Sequence, residues 1–445
     1  MRYEFRSGEA FARQLDDEDD LRDVRKQFYV NPEFIYMEGN SMGMASKAGE
    51  AALLRVYNEY KTMMIGLWYR TKPMLFLYQD YLATLMAPMV GAAPEEVTIH
   101  ANTSLNLHSL IGTFYKPDAR RYKILVDELN FPTCRYVVES QVRLKGLDPA
   151  VAVKEVKSLD GLFMDEDRII EAMTEDVAVA VLPSVLYRSC QLLDMEKLTR
   201  AAHERGIIIG FDCGHSVGAV PHRLSEWDVD FAAWCTFKYC NGGPGSPAGL
   251  FINKKHFGLG PGLAGWHGYV KEKQFDLLNA WEPAQNAGGW QTGTQHILSM
   301  APLEGSLKIF NEVGMDRVRA KSLKITAYLM YLIDDDLAGH GFSISTPRED
   351  QRRGGHVTLY HEDAPRISRA IVDRGVLAHA SVAKSNRGAK GGIRLTPAAL
   401  YTTYHDVYRM VAIIRQVMEE QAYERYVVEK PVVDTTRDKS LQPVG

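Results

Sequence analysis

The stretch IIIGFDCGHSVGAVPHRLSEWDVDFAAWCTFK, Ile207 to Lys238, decides the reading of this chain. Its apolar head, Ile207 to Phe211, reads as a buried strand, and it stops at Asp212. His215 follows three residues later. A second apolar run, Phe231 to Thr236, then delivers Lys238, 26 residues beyond the aspartate. Working outward, similar short runs lie at Glu96 to His100, Tyr122 to Asp127, Val177 to Leu182 and Ala248 to Ile252. Asp194 to Gly206 (DMEKLTRAAHERG) sets Met195, Leu198 and Ala201 or Ala202 at helical spacing, and Gly206 closes the end, so it reads as a crossover helix. Short β-branched runs alternating with amphipathic stretches predict parallel βα units. The expected class is α/β, a mostly parallel sheet flanked by helices, with ligands at the carboxyl ends of the strands.

After about Ala301 the pattern changes. Helices are predicted over Leu303 to Glu312 and Met315 to Asp335, strand pieces around His356 to Tyr360 and Gly392 to Leu395, and a final helix over Tyr404 to Glu424. This predicts a smaller α+β domain. The expected division is an N-terminal segment 1–60 joining the small domain, a large domain 61–302 that holds the site, a small domain 303–428 and a loose tail 429–445.

The 445 residues, 52 Lys+Arg against 56 Asp+Glu, leave a net charge of −4, which gives no general attraction to nucleic acid or acidic lipid. Hydrophobic residues at 46% and charged residues at 24% place the chain among compact globular proteins. Five cysteines without a C-x-x-C pair indicate neither a disulfide framework nor a zinc knuckle, and a reducing cytosol is expected. Met1 to Asp20 is charged and lacks an apolar signal core, and no window approaches the roughly 18 apolar residues that span a bilayer. A soluble, cytoplasmic protein with a small-molecule ligand is expected.

Singly, an Asp after a strand is commonplace as a helix cap, and a Lys there commonly snorkels to solvent. Together, at neighbouring strand ends, they are what pyridoxal 5′-phosphate chemistry needs. The lysine holds the cofactor as a Schiff base, and the carboxylate keeps the pyridine nitrogen protonated so that the ring accepts electrons. A dry surround would keep such a lysine usefully basic, and Trp234, Phe237 and Tyr239 are expected to provide it.

Further stretches extend the pattern: MEGNSMG at Met37 to Gly43, NTSLNLH at Asn102 to His108, RRYKILVDELNFP at Arg120 to Pro132, LAGWHGY at Leu263 to Tyr269 and GGIRLTPAALYTTYHDVY at Gly391 to Tyr408. In this order, with FDCGHSVG and WDVDFAAWCTFKY, they resemble the kynureninase family. Those are pyridoxal-phosphate enzymes of fold type I, the aspartate aminotransferase fold, in the class V aminotransferase group. The resemblance implies that Lys238 carries the cofactor, Asp212 pairs with its ring nitrogen and His215 supports the ring hydroxyl side. It implies Phe131 stacked on the ring and Thr103 and Ser104 at the phosphate, where hydroxyls at a helix start suit an anion. It further implies that Trp266 and Thr294 reach the cofactor from a partner subunit, in a homodimer with shared active sites. Arg394 would grip the substrate α-carboxylate, with Ser41 beside it.

One position departs. Where the family has a tyrosine just before the lysine, this chain has Phe237, which keeps the aromatic volume and loses the acid. Positioned acids contribute about 10²- to 10⁴-fold, so hydrolysis of kynurenine is expected to need that hydroxyl. A thiolate leaving group, whose thiol has a pKa near 8.5, would need it less. The leading expectation is therefore a pyridoxal-phosphate lyase cleaving carbon from sulfur in an S-substituted cysteine. The departure resembles kynureninase-like proteins of natural-product pathways, as in lincosamide antibiotic biosynthesis. Alternatives are kynureninase itself, yielding anthranilate and L-alanine, and a decarboxylating oxidative deaminase or aminotransferase. Around the substrate, His267, Tyr187 and an apolar rim of Leu67, Trp68 and Tyr69 are candidates, with Tyr187 a substitute acid.

Overall fold

The computed structural model describes residues 3–380 and 392–427; the predicted tail 429–445 lies outside them. Its centre is a seven-stranded sheet whose strands run, edge to edge, Val97–His100, Ala248–Ile252, Phe231–Trp234, Ile208–Asp212, Val177–Pro183, Lys123–Asp127 and Val153–Val156. Only Ala248–Ile252 is antiparallel to its neighbours, so the other six point their carboxyl ends the same way. The expected mostly parallel sheet is present, and its strand ends gather on one edge.

Alternation along each strand builds two cores. Ala180, Leu182, Ile209, Phe211, Ala232 and Trp234 face helices Tyr78–Val90, Met195–His203 and Ile297–Val313. Val179, Val181, Phe231 and Ala233 face the other way, toward Thr103–Phe114 and Pro132–Leu144. Residues buried on both sides explain the near-continuous apolar runs that made these strands visible in the sequence. A third core joins helices Met315–Asp336, Ala364–Val372 and Tyr404–Glu419 to an antiparallel sheet ordered Gly392–Leu395, Val357–Tyr360, Ser343–Ile344. Ile35–Tyr36 pairs in parallel with Val376–Leu377, tying the N-terminal segment to this part of the chain.

Several expectations shift. Val153–Val156 (VKEV) was not expected as a strand: it sits at the sheet edge, half-buried, and so carries polar Lys154 and Glu155 in place of an apolar run. The strand expected to reach Thr236 stops at Trp234, because the Thr236 hydroxyl turns inward to the Pro247 carbonyl (2.5 Å) and Ser246 (2.7 Å). The helix expected from Leu303 begins at Ile297 and continues through Pro302, since Ile297, Met300 and Ala301 are buried where it packs on helices Lys47–Met63 and Tyr78–Val90. The last helix ends at Glu419, and Gln421 at φ 49° breaks it before a short turn at Ala422–Arg425. Among the described residues no helix is long and apolar enough to cross a membrane, and all five cysteines are free and buried.

Candidate active site

Asp212 ends its strand opposite Ala233 of the neighbouring parallel strand, and Lys238 follows that neighbour by four residues. The two thus emerge side by side and line one cavity of about 400 Å³. The same cavity is lined by Ser41, Thr103, Ser104, Phe131, His215, Phe237 and Arg394. Every cofactor-side residue expected within one chain is brought together there with substrate-side Ser41 and Arg394, which are 353 residues apart.

Lys238 Nζ lies 3.0 Å from His215 Nε2 and about 6 Å from the ring centres of Phe131 and Phe237. Burial, then the charges of Lys238 and Arg394, push His215 well below the ordinary imidazole range. Neutral His215 accepts from the lysine through Nε2, and its buried Nδ1 finds no protein partner. Asp212 Oδ1 accepts from the Gly214 amide at 2.9 Å and Oδ2 from the Cys134 thiol at 3.1 Å. Of the aromatics expected to dry the lysine, only Phe237 lines the cavity. Trp234 packs across the sheet on Gly249, and Tyr239 joins Ala219 and Val220.

Thr103 and Ser104 open the twelve-residue helix Thr103–Phe114, capped by Asn102, whose side chain accepts from Leu105 N at 3.0 Å. Ala101, just before that cap, takes φ 46°, a conformation costly without glycine that turns the strand into the helix. Free amides and two hydroxyls at a helix start form an anion site. Arg394 reaches in from the antiparallel sheet; its Nη2 donates to Ser41 Oγ at 3.2 Å and its Nη1 to the Tyr187 carbonyl at 3.5 Å. Tyr187 does not line the cavity but lies behind two residues that do, its ring edge-on to Phe131 at 5.4 Å and 6.2 Å from that of His215, and its hydroxyl accepts from Arg188 Nε at 2.8 Å.

Other expected residues lie elsewhere in the single chain. Trp266 and Thr294 are exposed and do not line the cavity. His267 is buried beside Phe76 and Trp266, and burial with the Lys271 charge pushes it down to about 4. Leu67 and Trp68 line a separate surface groove, and Tyr69 stacks on Phe76. Conversely, sequence reasoning missed Asn40, Asn102, Thr133 and Cys235 in the lining, and His356, buried with its ring 6.2 Å from that of His215. Asn40 was within reach: it adjoins Ser41 in MEGNSMG, is fully buried and leaves Nδ2 without a protein partner. His356 had no nearby motif to reveal it.

An amine, a carboxylate beside it, an aromatic face, an anion-binding helix start and unpartnered buried nitrogens at His215 and Asn40 fit a phosphorylated pyridine aldehyde. Fold and site together define a pyridoxal-phosphate enzyme of fold type I, in the class V aminotransferase group. A solved cysteine desulfurase from Thermococcus onnurineus NA1 superposes with a TM-score of 0.74, covering 89% of this chain and 98% of that one at 17% identity, a likeness of fold. The family model for the kynureninase C-terminal domain matches residues 318–414. Proteins named kynureninase from Geobacillus thermodenitrificans and Bacillus thuringiensis are 49% and 47% identical over 423 residues, covering 95% of this chain and 97% of theirs. The chain belongs to the kynureninase family and is a pyridoxal-phosphate-dependent enzyme.

Proposed function

We propose that this chain is a kynureninase, adding water across the Cβ–Cγ bond of L-kynurenine to release anthranilate and L-alanine. The observation that carries the proposal is the convergence of Lys238, Asp212 and Arg394 on one cavity in a chain 49% identical to a kynureninase over nearly its full length. When bound, pyridoxal phosphate supplies the electron sink that lets bonds near the amino-acid Cα break. Asp212 would hold the proton at the ring nitrogen. Thr103, Ser104 and the start of their helix would hold the phosphate, and Phe131 would cover the ring. Arg394, set by Ser41 and the Tyr187 carbonyl, binds the substrate α-carboxylate as a fork. Lys238, whose amine donates to neutral His215 Nε2 at 3.0 Å, is the base placed to remove the proton from Cα and to return one to the product. Water adds its hydroxyl to the carbonyl carbon that becomes anthranilate and its hydrogen to the carbon that becomes the alanine methyl.

Phe237 supplies no hydroxyl, and Tyr187, edge-on to Phe131, stands in as the phenol that serves proton transfer. Homodimerisation belongs to the same proposal. Tyr60, Met64, Ile65, Trp266, Phe275 and Leu277 are exposed, beside an apolar groove of about 510 Å³, a patch suited to burial against a second copy. Such a copy would bring Trp266 and Thr294 to its partner's cavity. The desulfurase likeness, at 17% identity, lends carbon–sulfur cleavage no more than a shared fold. The test is to incubate holoenzyme with L-kynurenine and, separately, with an S-alkyl-L-cysteine, and to identify products. Anthranilate and alanine are expected; pyruvate and free thiol with kynurenine inert would restore the lyase reading and its natural-product setting.

A further inference from the structure

Asp212 does not stand alone behind the cavity wall. Cys134, fully enclosed at the third position of helix Pro132–Leu144, directs Sγ at Asp212 Oδ2 across 3.1 Å, while the Gly214 amide holds Oδ1. The same helix start sets Phe131 and Thr133 in the cavity lining, so the thiol and the ring-covering aromatic are placed together. Cys235 and Cys240 place Sγ 3.6 Å from backbone carbonyls, and Cys235 also meets Lys238. Cys134 instead donates to a carboxylate oxygen, that of Asp212. Burial, reinforced by the Asp212 charge, pushes this thiol well above its ordinary range, so it remains S–H and donates. A thiol is a weak, neutral donor. It can fix the rotation of a carboxylate while withdrawing little of its affinity for a proton, where a hydroxyl would withdraw more.

We propose that Cys134 is a positioning residue, whose S–H orients the Asp212 carboxylate and sets how strongly it holds the proton at the cofactor ring nitrogen. This rests on the reading of Asp212 as that nitrogen's partner. Donation to the charged carboxylate favours its ionised form; removing the donor makes Asp212 more basic, and a stronger donor makes it less so. Alanine and serine at position 134 therefore act in opposite senses, which a packing role would not produce.

The experiment uses holoenzyme of Cys134→Ala, Cys134→Ser and Asp212→Asn, with thermal unfolding to check folding. It follows the visible absorbance of bound pyridoxal phosphate against pH, and the affinity of each apoenzyme for pyridoxal phosphate. Cys134→Ala is expected to weaken cofactor binding about threefold to tenfold, the worth of one modest hydrogen bond. Cys134→Ser is expected to keep near-native affinity, with the two midpoints displaced to opposite sides of the native one. Unchanged midpoints, or displacement of both to the same side, would overturn the inference. Where Cys134→Ala does not fold, the near-isosteric serine variant decides by its midpoint alone. An effect of Asp212→Asn with silent Cys134 variants rejects only the role of the thiol. Native absorbance and affinity in Asp212→Asn reject the reading of Asp212, and this inference with it.

Discussion

At position 237 a single oxygen atom separates this chain from the pattern its family resemblance implies. Phe237 still lines the cavity, 5.9 Å from Lys238 Nζ, so what is lost is an acid and not a wall. That departure led the sequence reading toward a thiolate leaving group, and relatives at 47–49% identity over nearly the full chain redirect it toward kynurenine hydrolysis. The physical question is which hydroxyl now serves the proton. Tyr187 packs edge-on to Phe131 and shares its carbonyl with Arg394, so it touches both Phe131 and Arg394. Tyr187→Phe is expected to lower kcat for kynurenine by about 10²-fold with KM nearly unchanged, the signature of a lost proton-transfer group. Combined with Phe237→Tyr, which restores the family hydroxyl, the same change should cost far less, a coupling measured by the double-mutant cycle. Equal losses in both backgrounds would remove Tyr187 from proton transfer.

Elements legible in the sequence are those buried on both faces; those half-exposed were not. Val177–Pro183 and Ile208–Asp212 carry unbroken apolar runs, whereas edge strand Val153–Val156 hides in a polar tetrapeptide. Helix Ile297–Val313 was read short at Pro302, because no local signal reports its tight contact with helix Lys47–Met63. There a Cβ on Gly305 would lie 2.2 Å from the backbone of Ala48 and Gly49. Gly305→Ala should destabilise the fold by about 3 kcal/mol, seen in chemical denaturation, since backbone on both sides must separate. A second tie between elements lies at Asp230. It accepts from Ile209 N (2.8 Å), His203 Nε2 (2.9 Å) and His256 Nε2 (2.8 Å), with Lys255 Nζ at 3.0 Å. Burial would raise this carboxyl, but the histidine and backbone hydrogen bonds and the Lys255 charge outweigh it and hold it well below the usual range. A depressed folded value stabilises above the unfolded carboxyl's pKa of about 3.9, and the contribution fades as pH falls below it. Asp230→Asn should therefore lose about 2 kcal/mol at pH 7 and show a shallower fall in thermal midpoint on acidification below pH ~4. A parallel fall in both proteins would contradict this.

Across the whole molecule, the cofactor-side cluster was readable because its residues sit at strand ends within recognisable stretches, and the sheet brings those ends to one edge. Residues behind the wall escaped: Cys134 and His356 meet Asp212 and His215 through tertiary contacts that no spacing announces. The residues assigned to a partner divide in an informative way. Trp266 and Thr294 are exposed in the single chain, away from the cavity, on a face where large apolar side chains also stand in solvent. If two copies pair through that face, each active site takes Lys238 from one chain and Trp266 from the other, an isologous arrangement in which two different defects can compensate. Lys238→Ala and Trp266→Ala, each expected to be nearly inactive as purified, should regain activity when unfolded together and refolded. Each hybrid would hold one site carrying both defects and one carrying neither, so about a quarter of native turnover should return if chains assort at random. A site built wholly within one chain would leave every hybrid site with one defect, and no activity above the two parents would appear.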